Sequence, residues 1–106
     1  MTGFDDRKRQ EEVRFKHGQE LAFKARNRGN KMFGLWIAER LGLSGEEAAA
    51  YAKDVVLADF EAPGDDDLLG KVRADLAAKS IDISERILEK QLQECREAAA
   101  QQIKTE

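Results

Sequence analysis

The stretch Leu21 to Gly42, LAFKARNRGNKMFGLWIAERLG, decides the fold of this 106-residue chain. Phe33, Trp36, Ile37 and Leu41 fall at i, i+3, i+4 and i+8 within it, the spacing of one buried face of an α-helix. Gly42 follows as a stop, and Gly29–Asn30 is a candidate break. Upstream, residues 1–20 offer few large apolar side chains beyond the initiator: Phe4, Val13 and Phe15. Charges fill most of the remaining positions there, and so little apolar surface cannot offset the entropy of ordering the segment. The expectation is a charged, mobile N-terminal arm over residues 1–20 and a helical domain over 21–106.

The arm carries a latent helix over residues 4–20. Arg7–Glu11, Lys8–Glu12, Glu12–Lys16 and Glu20–Lys24 are opposite charges four residues apart, each contributing about 0.2–0.5 kcal/mol to a helix. That sum cannot hold a helix of this length without packing, and Gly18 costs up to about 1 kcal/mol relative to alanine. Phe4 and Phe15, eleven residues apart, would share a face on folding. The arm is therefore expected to be frayed alone and helical when bound.

Downstream, Ser44-Gly-Glu-Glu47 has the pattern of a capping box. It opens a helix expected to bury Ala48, Tyr51, Ala52, Val55, Val56 and Phe60 and to stop at Pro63-Gly64. Asp65, Asp66 and Asp67 suit the start of the next helix, where the dipole favours negative charge; Leu69, Val72 and Leu76 line it. Asp82 with Glu85 suggests a second capping box after a link around Lys79–Ile81. The last helix carries Leu88, Leu92, Cys95 and Ala99, then fades into a polar tail, Gln101–Glu106. The fold class is all-α, a four-helix bundle with a mobile, conditionally helical arm.

Several function classes drop out. No run approaches eighteen apolar residues, so no membrane span is expected, and the N-terminus lacks an apolar signal region. A single cysteine, Cys95, fits a reducing cytoplasm. The lone histidine, His17, lies in the charged arm, so no triad is expected. The Asp65–Asp67 run lacks the ligand spacing of a calcium loop, and the glycines match neither dinucleotide nor phosphate-loop patterns. No catalytic residue, metal ligand or cofactor is expected. Residues 1–31 carry a net charge of +4 and residues 32–106 a net −7. The basic cluster Lys24, Arg26, Arg28 and Lys31 lacks the aromatic interleaving of a nucleic-acid surface and is expected to be a solvated helix face or to pair with acids elsewhere in the fold. Trp36 reads as a core anchor, with a half-buried, groove-facing role as the alternative. A monomer is expected in the free state.

Phe4, Arg7, Phe15, Leu21-Ala-Phe-Lys24, Asn30-Lys31, Gly34, Trp36, Leu41-Gly42, Tyr51-Ala52, Val55-Val56, Ala58-Asp59-Phe60 and Gly64 together resemble the ATPase inhibitor subunit zeta family. That family, once catalogued as a domain of unknown function, accompanies the F-type ATP synthase of α-proteobacteria. The likeness runs in order from Phe4 to about Leu76 and weakens in the last helix. It implies a non-catalytic, cytoplasmic inhibitor, peripheral to the inner membrane when bound. Its N-terminal segment would enter between catalytic subunits, become helical there and block ATP hydrolysis. Carried over by position, Phe4, Arg7, Glu11, Glu12, Arg14 and Phe15 would contact the enzyme. The resemblance also implies weak adenine-nucleotide binding, for which Lys24, Arg26, Arg28 and Lys31 are the candidate contacts. Gly29, where the family often has arginine, and Gly18, where it has a larger residue, are expected to loosen the joint between arm and bundle. Two alternatives stand beside the inhibitor: a helical adaptor for another protein, and a nucleotide-responsive module.

Overall fold

The computed structural model describes the backbone of residues 2–60 and 64–106 and the side chains of residues 18–60 and 64–106. Four helices account for it: α1 (Thr2–Arg40), α2 (Gly45–Ala58), α3 (Asp66–Ala78) and α4 (Glu85–Lys104). No strand occurs among the described residues. The molecule measures 67 × 26 × 21 Å, its long axis set by α1, whose 39 residues extend about 58 Å at 1.5 Å each. From Thr2 on, the arm's backbone is thus part of α1. Its order when free and the contacts of Phe4, Arg7, Glu11, Glu12, Arg14 and Phe15 fall outside the described side chains.

α1 is the spine. α2 and α4 pack along it, and α3 folds back on α2. The stripe expected from the sequence is present: Phe33, Ile37 and Leu41 are buried. They meet Val55 of α2, Leu68, Leu69, Val72 and Leu76 of α3, and Leu88, Leu92 and Cys95 of α4. Each large aliphatic or aromatic side chain removed from water here contributes about 1.5–3 kcal/mol.

Gly42, with φ +82°, ends α1. Its N–H donates to the Glu39 carbonyl (3.1 Å) and the Leu43 N–H to Ala38 (2.9 Å), the paired closure of a left-handed cap. Ser80, φ +57°, closes α3 in the same way: Ser80 N–H to Ala77 and Ile81 N–H to Leu76, both 2.9 Å.

Several expectations are corrected. α1 runs unbroken through Gly29–Asn30. Gly29 does not loosen the chain: it is buried, and a Cβ there would lie 2.6 Å from the Arg96 Cα. Gly34 is equally tight against α2, at 2.7 Å from the Ala52 Cα. These two positions let the spine approach both neighbours, which a side chain would prevent.

Ser44 stands at the α2 start, but its side chain makes no capping bond. Gly45, at φ +55°, distorts the first turn that the hydroxyl would have to reach. α2 ends at Ala58 rather than at Pro63-Gly64, so Phe60 lies beyond it and is 52% exposed instead of buried. Ala48, Tyr51 and Val56 are only half-buried. The α4 cap is Ser84, whose hydroxyl accepts from the Ile87 N–H (3.3 Å), not Asp82. α4 continues to Lys104 and buries Ile103, replacing the expected polar tail. Trp36 is half-buried. It stacks on Phe33 with centroids 6.2 Å apart, under the Arg40 guanidinium at 3.6 Å from the ring centre.

Candidate functional site

The basic stretch of α1 divides by helical phase. Arg26 and Asn30, one turn apart, face the connection between α2 and α3. Arg26 grips Asp59 with Nε at 2.7 Å and Nη2 at 2.9 Å, and Nη2 also reaches Asp65 at 3.0 Å. The Asp59 side chain is 4% exposed. Asn30 is fully buried; its amide donates to Asp59 Oδ2 (2.8 Å), and its oxygen accepts from Arg96 Nε (3.0 Å). Arg96 of α4 then clasps Asp65 with both terminal nitrogens, at 3.1 and 2.9 Å. Two guanidiniums, two carboxylates and one amide thus fasten α1, α4 and the α2–α3 connection together. Bidentate pairs of this kind are the stronger charge-assisted bonds. The Arg26 guanidinium holds the Asp59 carboxyl below the usual carboxylate range, against the opposing effect of burial.

Lys24, Arg28 and Lys31 point another way. With Phe23 and Asn27 they form the α1 wall of a groove of about 700 Å³, whose α2 wall is Ala49, Lys53 and Val56. The groove joins three of the four candidate nucleotide contacts, while Arg26 belongs to the ion-pair cluster. Lys24 and Arg28 already hold the Glu106 carboxylate, the first at 3.2 Å, which keeps that acid below its ordinary pKa. Phe23, 54% exposed, sits beside Phe60 with ring centroids 5.7 Å apart and extends the groove's apolar surface. Among the described residues, Asn27 Oδ1 is buried without a hydrogen-bond partner.

The sequence did not single out Asn27, Lys53 or Asn30 as functional residues. Lys53 and Val56 do have a local signal, since they fall at i+4 and i+7 from Ala49 on one face of α2. The family model for ATPase inhibitor subunit zeta matches residues 1–102. The chain belongs to the ATPase inhibitor subunit zeta family. A solved structure, a solution NMR structure, is similar with 43% identity and a TM-score of 0.70, over 78% of this chain and 94% of that one. No curated protein sequence matches.

For a zeta-family chain the remaining reactive groups have structural places. Cys95 is buried in the core, and burial pushes its thiol pKa up, away from the nucleophilic thiolate. Asp65 faces Arg26 and Arg96, while Asp66 and Asp67 occupy the first turn of α3. No group of three or more His, Cys, Asp or Glu side chains among the described residues is arranged to hold a metal ion. No helix among them is long and apolar enough to cross a membrane.

Proposed function

We propose that this chain is a non-catalytic inhibitor of the F-type ATP synthase that inserts residues 1–20 between catalytic subunits and stops ATP hydrolysis. The observation that carries the reading is the family match, which takes in the charged N-terminal segment together with the bundle. The length of α1 supports it: a helix of 39 residues gives the N-terminal segment a stiff, bundle-anchored base. Phe4 and Phe15 act as apolar anchors, and Arg7, Glu11, Glu12 and Arg14 supply steering and pairing. The protein works in the cytoplasm, peripheral to the inner membrane when bound.

The test is ATP hydrolysis by the cognate enzyme, titrated with full-length protein and with a version lacking residues 1–19. Inhibition by the first alone supports the assignment. Full-length protein that leaves hydrolysis untouched at micromolar excess would refute it.

A further inference from the structure

The groove between α1 and α2 has a composition that the insertion of an arm does not call for. Its apolar surface comes from Phe23 on α1 and from Ala49 and Val56 on α2. Cations flank that surface on both sides, Lys24, Arg28 and Lys31 from α1 and Lys53 from α2. Lys31 and Lys53 make no ion pair among the described residues, whereas most basic side chains nearby are committed to carboxylates. An apolar track between cationic rims is complementary to an amphipathic helix with acidic flanks. From Phe23 to Lys31 the track runs about 12 Å, two helical turns. It would therefore take anchors at i, i+3 or i+4, and i+7 of its partner.

Glu106 shows how an acid sits on this rim. Following α4, it places its carboxylate against Lys24 and Arg28. A phosphate-bearing ligand fits less well. Lysine and arginine side chains can hold phosphate, but such sites commonly add free backbone N–H groups at helix starts or nests, and every residue of this groove lies inside α1 or α2, clear of the helix starts.

We propose that the groove of Phe23, Asn27, Lys31, Ala49, Lys53 and Val56 docks an acidic, amphipathic helix of the ATP synthase, a second contact separate from the inserted arm. This rests on the inhibitor reading for the identity of the partner. The second contact holds the bundle against the enzyme while the arm folds into place, converting two weak attachments into one strong one.

The experiment uses the full-length protein and the intact cognate enzyme, with binding and inhibition of hydrolysis measured in parallel. In Lys31→Glu/Lys53→Glu both changed side chains are exposed, so the fold is kept, which circular dichroism and a thermal melt confirm. Reversal of two charges beside acidic residues is expected to raise the dissociation constant about 10-fold or more at low salt. Inhibition at saturation should stay complete, and the salt dependence should flatten. A second variant, Ala49→Cys carrying a photo-crosslinker, should form an adduct with an acidic amphipathic helix of the enzyme.

An unchanged dissociation constant overturns the docking proposal and leaves the inhibitor reading standing. Binding that is sensitive to the reversal but brings no inhibition does the opposite. Crosslinking to a second copy or to lipid also overturns the proposal. So does reversal-insensitive binding in a protein whose groove amide signals shift with ATP alone.

Discussion

Asn30 puts one primary amide between two charged groups, donating to Asp59 and accepting from Arg96 with no exposure to solvent. Removing it leaves a carboxylate and a guanidinium each short of a partner, and an unsatisfied buried group costs about 1–3 kcal/mol. Asn30→Ala should therefore lower stability by about 2–3 kcal/mol, read as a lower midpoint in urea with an unchanged slope. The same cluster sets a pH dependence. Because Arg26 depresses the folded-state pKa of Asp59, its contribution is present above the unfolded aspartate value of about 3.9. It is lost as pH falls through the lower folded value. Melts from pH 7 to pH 3 should show wild type losing stability below about pH 4, and Asp59→Asn losing less over that interval. The sequence showed only that basic residues such as Arg26 could pair with acids elsewhere in the fold; the partners were not legible. Asp59 and Arg96 lie 29 and 66 residues from Asn30, so no local spacing rule connects them. Asp65 read plausibly as a helix-dipole residue because that is the role its neighbours Asp66 and Asp67 do take.

Among the elements, the helices whose apolar residues recur at 3 and 4 were readable from the chain. Leu88, Leu92, Cys95 and Ala99 are all buried on α4, as are Leu69, Val72 and Leu76 on α3. Ends and crossings were less so. A capping box is a pattern of types, and Ser44 satisfies the pattern while Gly45 spoils the geometry; Ser84, one turn before Ile87–Leu88, makes the actual bond. Ser84→Ala should cost about 1 kcal/mol, the usual loss for a used cap, and Ser44→Ala less than about 0.5 kcal/mol. A pair of thermal melts compares them. Gly29 was misread because glycine in a helix has two opposite explanations, looseness and close approach, which only the neighbour decides. Here the neighbour is the Arg96 backbone. Gly29→Ala should thus destabilise by about 1–3 kcal/mol through overpacking, although alanine favours the isolated helix by up to about 1 kcal/mol.

At the scale of the molecule, the bundle is asymmetric: α1, with 39 residues, is far longer than the 14-residue α2 and 20-residue α4 that pack along it. The fold class and the family were both legible, since stripes and spaced identities accumulate along the chain. The groove was half legible. Its α1 cations stood out as a cluster in the sequence, but Lys53 and Val56 join them only because α2 lies alongside.

Because one helix runs from Thr2 to Arg40, the arm and the bundle share a single rotational register. Every residue added between them turns Phe4, Arg7 and Phe15 by about 100° relative to the groove and moves them outward by about 1.5 Å. Two alanines inserted after Gln19 would turn the preceding segment by about 200° relative to the bundle. Seven would return it to within about 20° at a greater reach. If arm and bundle act together, inhibition of hydrolysis should fall sharply with two added residues and recover in part with seven. A purely flexible tether would show no such alternation. The long helix then serves as a key cut to a given angle as well as a given length.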